Sequence, residues 1–256
     1  MNYKRIIPCL DFFNGRIIKG TNFKNLVDIG DPLDVSKFYN DEGADEIAFL
    51  DISASIENRN QINHIISKIS SKISIPLTVG GGIKSFLDFK NLFNSGADKI
   101  SVNTHLIENF NFIEKIKLIY GSQCLISALD VKRFYNFNKI YYWNVYKKSG
   151  KIKTKYNLND LIIKFLKLGI GELLITSIDR DGTLKGFDKE LILKLSKIIN
   201  INIIVSGGGG SLLSILDILK IKNVNSLLLA SILHNKIYSI FFIKNFLLNN
   251  GILLKI

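Results

Sequence analysis

Two apolar runs, each ending on a carboxylate, lie nearly half a chain apart. Residues 6–10 lead into Asp11 within RIIPCLDFFNGRIIKG, and LISAL at 125–129 leads into Asp130. A second pair obeys the same spacing, LTVGGG at 77–82 and IVSGGG at 204–209. Two halves that each carry a strand-end Asp and a strand-end glycine cluster read as an internal duplication. That restricts the chain to folds built from two like halves. An acid where a buried strand meets its loop is a poor choice for stability, because an unpaired buried charge is costly. Asp11 and Asp130 are therefore candidates for chemistry.

Between these landmarks strands and helices alternate. Short apolar strands are expected at 6–10, 46–50, 77–79, 99–102, 125–129, 172–176, 203–205 and 226–229. Residues 19–30 read as a loop. Asp31-Pro32 then starts a helix, an N-cap followed by proline at the first helical position, which runs to Gly43. Further helices are expected at 59–72, 86–95, 108–120, 158–168, 189–199, 212–221 and 238–249. Residues 131–157, aromatic and β-branched around Lys147–Gly150, interrupt the pattern as a hairpin insertion. Eight β/α units over 1–256 predict a single-domain α/β fold, a (β/α)8 TIM barrel. A doubly wound sheet is the runner-up, and it leaves the repeat unexplained.

In such barrels functional residues come from the strand C-termini and the loops that follow. Those ends carry Asp11, Asp51, Gly81-Gly82, Asn103-Thr104, Asp130, Thr176, Gly207-Gly208 and Ala230-Ser231. Glycines before helix starts let backbone N–H groups approach an anion closely. Taken singly, each cluster is more simply a tight turn. Two clusters on opposite sides of one mouth suit a substrate with a phosphate at each end. Asp11 and Asp130, on opposed strands, would flank its centre as acid and base; the plainer alternative is that each caps a loop.

Composition removes other classes. The net charge of +12 invites a polyanionic partner, yet the lysines are scattered and no nucleic-acid recognition motif is present. The richness in Ile, Lys, Asn, Phe and Tyr is what AT-rich coding favours. A nucleic-acid partner is not expected, although a basic field helps draw in a phosphorylated substrate. The start of the chain does not read as a signal peptide. The apolar run 237–248 contains Lys244 and Asn245 and reads as a packed helix, so no membrane span is expected. Cys9 and Cys124 fall in predicted strands as small buried hydrophobes, and a cytoplasmic location is the default. His64, His105 and His234 have no metal-ligand spacing. No metal and no cofactor are expected.

The motifs PCLDFFNGRIIKGTNF, VGGGIKS, GADKISVNT, SALDVKR, LLITSIDRDGTLKG and VSGGGG, in this order, resemble the cyclase subunits of imidazole glycerol phosphate synthase. The resemblance covers essentially the whole chain. The sister isomerase of the same pathway shares the barrel, the aspartates and the glycine clusters, but lacks a KGTNF-like lid and the full ITSIDRDGT run. The resemblance implies ring closure of an open-chain bis-phosphate ribonucleotide with ammonia, in histidine biosynthesis. It implies Asp11 and Asp130 as the acid/base pair and Lys19 as a lysine on a mobile lid. Gly82, Asn103 and Thr104 match one phosphate site, with Gly81 beside them. Gly208 and Ser231 match the other, with Gly207 and Ala230 adjacent. Asp51, Thr176 and Asp181 match contacts to the middle of the substrate. The chain departs from the family at Asn223-Val224-Asn225, where Gly-Ala-Asp is usual, and at Gly209, where alanine is common; both are read as lying near the second phosphate site.

The resemblance also implies a glutaminase partner docked on the N-terminal face of the barrel, with ammonia passing through. The strand starts carry Arg5, Glu46, Lys99 and Glu172. Side chains alternate along a strand, so by parity with the site residues Arg5, Lys99 and Glu172 point inward. Glu46 and Asp51 differ in parity, and one of them falls outside that rule. Solvated strand starts are the plain reading of these four residues; with the resemblance, they are expected to form an ion-paired gate ring on the barrel floor.

Overall fold

The computed structural model describes residues 3–21, 24–52, 59–135 and 141–255. Asn22 and Phe23 of the lid motif lie outside them. The first half contains β1 (Arg5–Phe13), β2 (Arg16–Thr21), β3 (Lys24–Gly30), α1 (Pro32–Asp41), β4 (Ile47–Asp51), α2 (Arg59–Ser70), β5 (Leu77–Gly80), α3 (Phe86–Asn94), β6 (Lys99–Val102), α4 (Thr104–Glu108) and α5 (Asn111–Tyr120). The second contains β7 (Leu125–Tyr135), β8 (Tyr141–Lys147), β9 (Ile152–Asn157), α6 (Leu158–Leu168), β10 (Glu172–Ser177), α7 (Lys189–Leu195), β11 (Asn202–Ser206), α8 (Leu212–Leu219), β12 (Val224–Leu229), α9 (Ser231–His234) and α10 (Ile240–Asn249).

Eight strands close a parallel barrel in the order β10-β11-β12-β1-β4-β5-β6-β7, with β7 pairing back onto β10. Alternation along each strand makes two apolar layers. Ile6, Leu10, Phe49, Val79, Leu129 and Leu173 pack outward under the helices. Ile7, Cys9, Ala48, Ile126, Leu174, Ile204 and Leu228 fill the barrel itself. Side-chain caps fix the helix starts: Asp31, Ser85, Asn157, Asp188, Ser211 and Ser239 each accept from a backbone N–H of the first turn. Among the described residues no helix is long and apolar enough to cross a membrane.

The structure corrects the reading of 19–30 as a loop. Asn14 and Gly15 take φ of 46° and 86°, the left-handed pair of a tight hairpin turn. The chain therefore folds back as β2 and β3, antiparallel to the end of β1. Nor do Asp11 and Asp130 end their strands. Each sits where its strand leaves the barrel to become an antiparallel ribbon, Asp11 opposite Ile18 and Asp130 opposite Tyr146. The expected helix 108–120 begins only at Asn111, and the short helix α4 precedes it, separated by Asn109, which is extended at φ −141°. Helix 189–199 stops at Leu195, and α9 went unanticipated.

One buried carboxylate pins the second ribbon to the barrel. Asp188, 3% exposed, caps α7 and also accepts from the Arg133 guanidinium and, at 2.9 Å, from Trp143 Nε1. Asp188→Ala takes the acceptor from a buried indole N–H and the cap from α7, while the half-buried Arg133 guanidinium keeps its pair with Glu190 at 2.7 Å. Leaving a buried donor unsatisfied costs about 1–3 kcal/mol, and urea unfolding monitored by circular dichroism should show a loss of that order.

Candidate active site

The C-terminal ends of the barrel strands surround an open cavity of about 770 Å³. Asp11, Lys19, Asp51, Gly81, Gly82, Asn103, Thr104, Asp130, Thr176, Asp181, Gly207, Gly208, Ala230 and Ser231 all line it. The fold thus brings every residue singled out at the mouth to one wall or another of a single space. It adds Lys148, Ser149 and Lys151, from the β8–β9 turn. That contribution was not legible in the sequence, where the segment looked like an insertion far from the glycine motifs. The turn docks through its backbone: Lys148 N–H donates to Thr104 Oγ1 at 2.9 Å.

The two strand aspartates share an environment. Burial pushes the Asp11 carboxyl up to about 6; Lys19 pulls it down and the Asp181 charge pushes it up. Burial, and then Asp181, push Asp130 up to about 6 as well. Asn103, matched to a phosphate contact, lines the cavity and points its side-chain amide at the second carboxylate, with Nδ2 donating to Asp130 Oδ2 at 2.9 Å. The glycine clusters are required by the backbone itself. Gly81 has φ +102°, and a Cβ there would lie 2.0 Å from the Asp51 carbonyl oxygen. Gly208, also at +102°, would meet the Gly186 carbonyl at 2.3 Å. Asp51 shares the parity of Ile47 and Phe49, which pack outward, so it is the member of the Glu46/Asp51 pair that breaks the inward alternation.

At the opposite end the strand starts meet in a ring. Arg5 pairs with Glu46 at 2.6 Å and with Glu172 at 2.7 Å, and Lys99 reaches the same two carboxylates at 2.8 and 3.2 Å. Burial pushes Glu172 up, but Arg5 and Lys99 outweigh it and leave the carboxyl below its usual range. Thr78 Oγ1 donates to Glu46 at 2.6 Å and Arg5 Nε to Ser226 at 2.8 Å, extending the ring. Glu46 faces inward with Ala48 and Leu50.

A quarter-chain pattern supplies every member of the ring except Arg5. Gly43-Ala44-Asp45-Glu46 and Gly96-Ala97-Asp98-Lys99 recur as Gly169-Ile170-Gly171-Glu172 and Asn223-Val224-Asn225-Ser226, each delivering its last residue to the floor. Gly43, Gly96 and Gly169 are left-handed, and Asn223 takes φ 66°, a conformation asparagine tolerates better than most residues. Asn223–Asn225 therefore lies at the floor, not beside the second phosphate site as the sequence reading had it; β12 carries the chain from there to Ala230 at the mouth. Gly209 does line the cavity.

A parallel (β/α)8 barrel with paired carboxylates at its mouth is the architecture of barrel enzymes that work at the C-terminal face. The chain belongs to the histidine biosynthesis protein family, whose model matches residues 5–239. It is 47% identical over 248 residues, 97% of either chain, to the imidazole glycerol phosphate synthase subunit HisF of Clostridium botulinum (strain 657 / Type Ba4). The subunit HisF of Sulfolobus acidocaldarius is 46% identical over 252 residues, 98% of either chain. That of Prochlorococcus marinus (strain AS9601) is 44% identical over 244 residues, 95% of this chain and 94% of its own.

A carboxyl whose pKa rises from 3.8 to about 6 on folding holds its proton more tightly in the native state. Its stabilising contribution is complete below about pH 4 and is lost as pH rises through about 6. Asp11→Asn and Asp130→Asn should therefore each stabilise the protein at pH 8, by about 1–3 kcal/mol. The gain should vanish toward pH 4 in paired denaturant titrations.

Proposed function

We propose that this chain closes an imidazole ring. It takes the open-chain phosphoribulosyl-formimino-aminoimidazole carboxamide ribotide with ammonia, and gives imidazole glycerol phosphate, aminoimidazole carboxamide ribotide and one water, lost as ammonia condenses with the ribulosyl carbonyl. The observation that carries this reading is the pair of carboxylates, Asp11 and Asp130, held in one cavity with pKa values pushed up to about 6. Ring closure with ammonia needs protons to leave nitrogen and to reach the departing groups. A carboxyl titrating near 6 can do either close to neutral pH. Asn103 keeps Asp130 oriented, and Asp181 keeps both aspartates less acidic than they would otherwise be.

The phosphates are assigned to opposite sides of the mouth, one at Gly81-Gly82 and Thr104, the other at Gly207-Gly208 and Ala230-Ser231. Because Thr104 Oγ1 already accepts from Lys148, its hydroxyl proton is free to donate to an anion. Lys19, on β2, is the cation that would close over the bound substrate, with Asp51, Thr176 and Asp181 meeting its middle. On the floor, Arg5, Glu46, Lys99 and Glu172 form the gate for ammonia supplied by a glutaminase subunit on the N-terminal face. The apolar layer of Ile7, Ala48 and Leu174 above that floor suits passage of neutral ammonia better than ammonium. The reaction is assigned to the cytoplasm, in keeping with the two free cysteines.

The test is turnover of the ribulosyl substrate with ammonium salt, run beside the substrate of the sister isomerase. Product from the isomerase substrate alone would overturn the assignment. Asp11→Asn and Asp130→Asn should each lower kcat by about 10²–10⁴-fold with substrate affinity held within about tenfold. Lys99→Ala should leave ammonium-dependent turnover intact and impair glutamine-dependent turnover in the complex. Equal losses in both assays would mean a stability defect and no gate.

A further inference from the structure

Among the described residues His234 is the one histidine held from both sides. Its Nδ1 lies 2.8 Å from the hydroxyl of Tyr39 on α1, and its Nε2 lies 2.9 Å from the backbone carbonyl of Cys9 on β1. A carbonyl oxygen only accepts, so Nε2 carries the proton. Burial pushes the ring's pKa down to about 4, which keeps the imidazole neutral. Nδ1 is then an acceptor, and the Tyr39 hydroxyl donates to it. Tyr39 is itself 4% exposed, and its ring meets the imidazole edge-on with centroids 5.6 Å apart. Both ring nitrogens are used, and the tautomer is fixed.

The place of this contact in the sheet gives it meaning. The register of β1 with β12 ends at Pro8–Leu229. Beyond that pair the chain turns through Ala230-Ser231 into α9, while β1 runs on through Cys9 to Asp11. His234 supplies a side-chain rung across the divergence. Backbone bonds from His234 N to Ala230 O at 2.9 Å and from Asn235 N to Ser231 O at 3.0 Å tie the imidazole to the turn it follows.

We propose that His234 is a positioning residue that fixes the distance between the Ala230-Ser231 turn and the Asp11 carboxylate. This rests on the reading of that turn as the contact for the second phosphate of the substrate. A substrate held at both ends transmits an error in that distance directly to the reacting centre, where a misplacement of about 1 Å can cost about 10²-fold.

The test compares His234→Leu, His234→Gln and Tyr39→Phe with the unaltered protein for kcat and KM on the ribulosyl substrate, alongside thermal unfolding. Leucine removes donor and acceptor; glutamine can donate to Cys9 O and accept from Tyr39. His234→Leu should raise KM and lower kcat together, reducing kcat/KM about 10- to 100-fold while remaining folded at the assay temperature. His234→Gln should recover most of that loss, and Tyr39→Phe should lose about fivefold, the worth of one hydrogen bond. Should His234→Leu fail to fold, Tyr39→Phe decides the matter. Variants within twofold of an active unaltered protein, or a glutamine variant no better than leucine, overturn the proposal. An unaltered protein without turnover overturns the functional reading, and this inference with it.

Discussion

Charge cannot be carried into the interior of this barrel without an answering group, and the two ends meet that constraint in opposite ways. On the floor Arg5 and Lys99 stand against Glu46 and Glu172, each cation touching both acids, so the charges cancel where they are buried. At the mouth Asp130 is met by the Asn103 amide and the Gly150 backbone N–H, and Asp11 by the Cys9 thiol and the charge of Lys19, with a third carboxylate, Asp181, raising both. The same side-chain chemistry is thus paired with cations at one end and left titratable at the other. Between the two lies a short apolar section that keeps the networks separate.

The duplication runs deeper than the two aspartates. In each half the first barrel strand overshoots, and a three-stranded antiparallel ribbon grows from it, β1-β2-β3 and β7-β8-β9. One ribbon brings Lys19 over the cavity and the other brings Lys148 and Lys151. The Gly-Ala-Asp starts add a finer period. Asp45 accepts from Ile6 N–H and Asp98 from Leu77 N–H, both at 2.8 Å, so the acid before a floor residue fastens the neighbouring strand. The later repeats lose the acid, and Asn225 donates to Asn202 instead.

The barrel was legible because its evidence is periodic: alternation along strands, caps before helices and the repeat of whole motifs. The mouth residues were legible because strand-end polar groups have no packing reason to be there. Besides the β8–β9 turn and α9, three features stayed hidden, each for a physical reason. Asn14-Gly15 was seen as a turn, but not that the segment beyond it would pair, since residues 19–30 are too polar to read as a strand. The inward face of Glu46 was obscured by Asp51, which lies off parity and yet lines the cavity, its backbone packed closely against Gly81. His234 gave no signal at all: its partners are a tyrosine and a backbone carbonyl distant in sequence. Orientation within the barrel misled the placement of Asn223–Asn225, because nearness in sequence to Ala230 concealed a full strand length between them.

The antiparallel ribbons have a consequence for how this chain can change. Each hangs from a strand whose barrel portion is held on both sides by parallel neighbours. Residues can be gained, lost or replaced along a ribbon without shifting the register that sets Asp11 or Asp130. Tolerance to drift is therefore greatest next to the groups that tolerate least, and the substrate-facing surface can be retailored while the reacting geometry stays inherited.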